Sequence, residues 1–186
     1  DRTEALTNAI ERLGVTEKGN IQIGLVTMQR GRAFQRVDLT TEMRKVIGQL
    51  NIPMISRFVA RPQCFDCAYR EARAMLEQYT KDHPDTDVQE FVILAPMGVY
   101  TTQARPGIVR GAGLVKSRGA TSVSGCYAWT HCVTELRRAA SSGRNYLAYG
   151  EGHRMASLLY DLVRQSTKTF LHKVVVTDLI PDSIEV

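Results

Sequence analysis

Strand-like and helix-like periodicities interleave along this chain, which predicts an α/β or α+β fold: a single mixed sheet of about five strands, with an early hairpin, covered by about five helices. Three observations carry that expectation. Asn20–Met28 alternates as a half-buried strand does, and Gln29-Arg-Gly-Arg32 turns it back through Ala33–Leu39, so the sheet cannot be wholly parallel. Phe91–Ala95 is an unbroken apolar run, the pattern of a central strand buried on both faces. Phe65, Ala68, Tyr69, Ala72, Met75, Leu76 and Tyr79 recur at helical spacing, with Arg70, Glu71, Arg73 and Glu77 on the opposite face.

The remaining elements follow from the same signals. Leu6, Ile10 and Leu13 mark a first helix that Gly14 can end. Thr40 caps a second helix whose Met43, Val46, Ile47 and Leu50 form an apolar stripe. Met54–Ala60 reads as a strand between Pro53 and Pro62, and Lys81–Asp87 as a loop rich in breakers. Val88–Ala95 is a strand, Pro96-Met-Gly98 turns into Val99–Thr102, and a long glycine-rich loop begins. Two further helices are expected, near Cys126–Ala140 and Gly152–Thr167, then a last strand at Leu171–Leu179. No linker divides the chain, so residues 1–186 are expected to form one globular domain; the start, Asp1-Arg-Thr-Glu-Ala-Leu, has no initiating Met and suggests a piece of a longer chain.

Charge supplies the leading functional clue. The chain has 24 Lys and Arg against 19 Asp and Glu, a net of +5. Between Glu90 and Glu135 there is no carboxylate, and the charges are Arg105, Arg110, Lys116 and Arg118. Glycine lets backbone N–H groups turn toward an anion and nearby cations add field, so a loop over about 103–119 suits phosphate. With Arg30 and Arg32 on a basic hairpin at about 29–36, these residues are the expected contacts to the backbone of DNA or RNA. The stretch matches neither a Walker A loop nor a dinucleotide fingerprint. Two other classes stay open: a subunit of a homo-oligomeric or virus-like assembly whose basic loop meets its neighbours, and an enzyme on a small phosphorylated ligand using His131 or His153. Whether the chain is an enzyme is left open, and no catalytic residue is assigned.

The four cysteines are too few to staple a domain this large, so a reduced, cytoplasmic setting is the expectation. Cys64-Phe-Asp-Cys67 has zinc-like spacing, but Cys126, His131 and Cys132 do not complete it on a helix, and no metal or cofactor is assigned. His83 shares its loop with Asp82, Asp85 and Asp87, ordinary turn formers. Tyr100 and Tyr127 are candidates to stack on a base. No apolar run approaches the ~20 residues that cross a bilayer, so no membrane partner is expected.

Overall fold

A computed structural model of the 186-residue chain describes residues 2–16, 19–29, 31–50, 63–96, 102–126, 133–148, 157, 160–161 and 171–179. In chain order the elements are α1 (Arg2–Thr16), β1 (Ile21–Gln29), β2 (Arg32–Thr40), α2 (Met43–Leu50), α3 (Phe65–Asp82) and β3 (Val88–Pro96). Then follow α4 (Arg105–Lys116), β4 (Thr121–Cys126), α5 (Thr134–Ala139), β5 (Tyr146–Ala148) and β6 (Leu171–Leu179). The six strands form one sheet in the order β2-β1-β6-β3-β4-β5. Only β2 runs antiparallel to its neighbour; the pairs β1–β6, β6–β3, β3–β4 and β4–β5 are parallel. The mixed sheet with an early hairpin is therefore what forms, with Gly31 at φ 73° in its turn.

Strand β6 joins two parts that do not pair with each other. Residues Ile21–Met28 of β1 align with His172–Leu179 on one side, and Val88–Pro96 of β3 with Leu171–Leu179 on the other. Without it the sheet would consist of the β2–β1 hairpin and the β3–β4–β5 unit.

Period-2 alternation sends each strand's side chains to two helical layers. Ile21, Ile23 and Leu25 of β1 and Phe91, Ile93 and Ala95 of β3 pack with Leu6, Ile10 and Leu13 of α1 and Val46 and Leu50 of α2. Val26, Met28, Val92 and Leu94 point the other way, onto Phe65, Tyr69, Ala72 and Leu76 of α3, Ile108, Ala112 and Val115 of α4, and Leu136 of α5. Each helix forms because its apolar stripe has a sheet face to cover.

The structure corrects the reading of residues 103–119. They are not a loop: Arg105–Lys116 is helical, with Pro106 in the first turn. Its glycines serve packing instead. Gly107 and Gly111 lie one turn apart on the face toward α3, and a Cβ at Gly111 would come within 2.9 Å of the Tyr69 Cβ and Cγ. Only glycine lets the two backbones approach so closely. Gly119, at φ 94°, then turns the chain into β4, with the Ala120 amide donating to the Val115 carbonyl at 3.2 Å.

The helix expected at Cys126–Ala140 is also shorter. Cys126 ends β4, and among the described residues of that stretch Thr134–Ala139 is helical. Strand β4 is built from Thr121-Ser-Val-Ser-Gly-Cys126, small residues that are buried from Ser122 onward, so it lacks the bulky alternation that signals a strand. Ser157, Tyr160 and Asp161 are helical, as expected for the penultimate segment. The strand expected at Met54–Ala60 and most of that at Val99–Thr102 lie outside the described residues; Thr102 is in a turn.

Candidate functional site

Helix α4 separates the cations that were expected to act together. Arg105 and Lys116 stand eleven residues apart, about 16 Å along the axis. At the C-terminal end both charges are spent inside the fold. The Lys116 ammonium donates to the carbonyls of Arg138 at 3.1 Å and Ala140 at 2.9 Å, and partial burial pushes its pKa below the ordinary lysine value. Arg118 makes a two-point ion pair with Glu90, Nε to Oε2 at 2.8 Å and Nη2 to Oε1 at 2.9 Å. Its Nη2 also donates to the Leu76 carbonyl at 3.1 Å and the Thr80 hydroxyl at 2.6 Å. Hydrogen bonding to Glu90 raises the Arg118 pKa and keeps the guanidinium charged.

This pair lines an open cleft of about 590 Å³ at the amino end of β3, with Thr86, Asp87, Gln89 and Gly119 around it. Asp87 and Glu90 set two carboxylates against one guanidinium there, so the cleft does not favour a phosphate. Of the other expected contacts, Arg110 and Arg32 are exposed, on α4 and on edge strand β2 respectively, and Arg105 is half-buried with its Nε lacking a hydrogen-bond partner among the described residues. Arg30, Tyr100, Tyr127, His131 and His153 lie outside the described residues.

The opposite end of the sheet holds a different cluster. Helices α3 and α4 begin side by side, with Gly107 packed against Phe65 and Asp66. In an open α/β sheet the carboxyl ends of the parallel strands are the usual ligand face. Cys64 is the N-cap of α3, and Cys67, three residues on, is joined to it in a disulfide. Asp66 lies between them; its Oδ1 is 3.3 Å from the Cys64 Sγ, and its Oδ2 takes the Arg70 guanidinium at 2.5 Å. Cys126 is disulfide-bonded as well, to a partner outside the described residues, and no described cysteine is free.

The expectation of reduced cysteines is thereby corrected: four are few, but their spacing allows short-range pairing. Zinc at Cys64 and Cys67 is excluded while the bridge is closed, because a disulfide sulfur offers no thiolate. Cys64, Asp66 and Cys67 are the only described His, Cys, Asp or Glu group compact enough to share an ion, so the His83 loop does not assemble one. His83 instead stacks on the Tyr79 ring at 4.1 Å. Arg70, Arg73 and Glu77 are visible in the sequence as part of a charged face, but that reading leaves out Asp66, which pairs with Arg70 at i, i+4 and borders the sulfurs.

No known family pattern and no curated protein matches the chain. Solved structures do. Proximal thread matrix protein 1 from the mussel byssus, with a zinc-occupied MIDAS motif, superposes with a TM-score of 0.64 at 17% identity, over 88% of this chain and 39% of that one. A second crystal form gives 0.63 at 16% identity. An aerotolerance-related membrane protein from Bacteroides fragilis gives 0.64 at 14% identity, covering 88% of this chain and 89% of that one. The present chain thus spans well under half of the mussel protein. What the likeness shows is a shared fold. Among the described residues, no helix is long and apolar enough to cross a membrane.

Proposed function

We propose that this chain is a protein-interaction domain of an assembly outside the reducing cytosol. The observation that carries the reading is the disulfide of the fully buried Cys126, accompanied by the pairing of Cys64 with Cys67. Disulfides persist in oxidising compartments and are rare where glutathione keeps thiols reduced. The shared fold supports it, since one neighbour is described as a matrix protein of the byssus. The zinc of that neighbour is not part of the reading: the one compact group among the described residues has its two sulfurs bonded to each other. A second copy of this chain is the first partner to test.

The nucleic-acid reading is weaker in this setting. Lys116 and Arg118 are tied to carbonyls and to Glu90, which leaves, among the described residues, Arg32, Arg105 and Arg110, distributed over two elements. The test is to express the chain by secretory and cytosolic routes, alkylate the native protein, and run sedimentation velocity alone and with a labelled oligonucleotide. Secreted protein with no alkylable thiol, concentration-dependent self-association and no oligonucleotide binding is the expected result. Native protein with four free thiols and salt-sensitive oligonucleotide binding would overturn the proposal and restore phosphate recognition.

A further inference from the structure

We propose that Cys64 and Cys67 form a reversible dithiol–disulfide site that exchanges with external thiols, with Cys64 as the sulfur that carries the mixed disulfide. The inference does not depend on which protein the domain contacts.

Position argues against a staple. The bridge joins the N-cap of α3 to its third residue, Cα to Cα 5.2 Å, within a single helical turn. The helix already holds those residues, through the Ala68 amide donating to the Cys64 carbonyl at 3.3 Å. A disulfide restrains the unfolded chain more as the loop it closes lengthens, and this loop is about as short as a Cys-x-x-Cys permits. It ties no second element to α3.

Access and electrostatics favour exchange. Cys64 and Cys67 are both only half-buried, whereas Cys126 is fully buried. The N-terminus of an 18-residue helix stabilises a thiolate there, and Cys64 and Cys67 both fall within its first turn. The Asp66 carboxylate, held by Arg70, is placed to accept the Cys64 proton in the reduced form, while Arg70 offsets its charge. The group sits at the carboxyl end of the sheet beside the start of α4, where a substrate can approach.

The chemistry balances with two molecules of an external thiol. The first, as thiolate, attacks the Cys64 sulfur; the Cys64–Cys67 bond breaks, and Cys67 leaves as a thiolate that takes a proton from solvent. The second thiolate attacks the external sulfur of the mixed disulfide, releasing the oxidised external disulfide and the Cys64 thiolate. Two electrons pass to the protein and two external thiols are oxidised; the reverse sequence reoxidises the pair.

The test uses the full chain in glutathione buffers of defined ratio, with acid quench, differential alkylation and peptide mass spectrometry, alongside far-UV circular dichroism. Cys64–Cys67 is expected to equilibrate at least about 100-fold faster than the Cys126 bridge opens, with no loss of helicity. In the Cys67→Ser variant, Cys64 should take up one glutathione. If Cys64–Cys67 opens only together with Cys126, or only as helicity is lost, the pair is structural and the proposal fails. It fails equally if folded Cys67→Ser takes up no glutathione; should that variant not fold, the wild-type rates decide alone.

Discussion

Replacing Gly111 with alanine tests whether residues 105–116 form a helix seated on α3. Gly→Ala inside a helix gains about 1 kcal/mol from backbone entropy, wherever the site is. At Gly113, which is exposed with nothing within 4 Å of a built Cβ, that gain stands alone. At Gly111 the new methyl lies 2.9 Å from the Cβ and Cγ of Tyr69, against an optimal carbon contact of about 3.5–4.0 Å. Tyr69 cannot yield cheaply, being fully buried, so overpacking of about 1–3 kcal/mol applies. The propensity gain is common to both variants and cancels in their difference. Gly113→Ala should therefore exceed Gly111→Ala in stability by about 1–3 kcal/mol, or about 2–12 °C in Tm for a chain of this size. Urea and thermal unfolding followed by circular dichroism measure it. Two variants within about 0.5 kcal/mol of each other would refute the close approach of α4 to α3.

Three further outcomes follow from individual side chains. Among the described residues the buried Tyr69 hydroxyl has no well-formed hydrogen bond; burial pushes its pKa above the ordinary phenol value, and the nearby Ser122 hydroxyl, itself left unpaired, opposes this only in part. Tyr69→Phe should therefore stabilise by about 1 kcal/mol in urea unfolding, and a loss of that size would mean that the Ser122 contact is a working hydrogen bond. Arg118→Ala leaves the Glu90 carboxylate without its two-point partner at the edge of an open cleft and should cost about 1.5–3 kcal/mol, with Arg118→Met/Glu90→Leu recovering most of it; a cost under about 0.5 kcal/mol would mean that water replaces the pair. Hydrogen bonding to Arg73 holds the Glu77 pKa below the ordinary carboxyl value, so its contribution is present above the unfolded-state pKa and is lost as pH falls through the folded one. The pair is more than a third exposed, so the effect is small: the urea midpoint should fall slightly more from about pH 6 to pH 3 in wild type than in Glu77→Gln, and equal falls would deny the pair any role.

Elements with bulky periodic residues were legible without coordinates. The hairpin, α3 and the central strand β3 each repeat apolar side chains at their own period, and they form where expected. What misled was small residues. In α4, glycine signals flexibility by propensity, but at Gly111 it is selected by the Tyr69 ring, a partner some 40 residues away that no local window contains. In β4, Ser122 and Ser124 look solvated yet are buried, with the Ser124 hydroxyl donating to the Leu136 carbonyl at 2.5 Å. The charges misled for the same reason. Arg118 belongs to a clear basic segment, and its neutralising carboxylate, Glu90, is remote in sequence but adjacent in space. The Cys-x-x-Cys was visible as a motif; that its sulfurs are bonded at a helix start depends on where the first turn of α3 begins.

The placement of β6 bears on how the chain reaches this state during synthesis. Ile21 waits for a partner, His172, about 150 residues further on, and β3 waits for the same strand. At translation rates of about 5–20 residues per second, the facing edges of β1 and β3 stay open for seconds after both have left the ribosome. Sheet closure is then a late event dominated by distant contacts, which slows folding and leaves two unpaired parallel edges exposed to other nascent chains. A domain wired in this order depends on its translation environment, including holding chaperones, more than its compact finished sheet would imply.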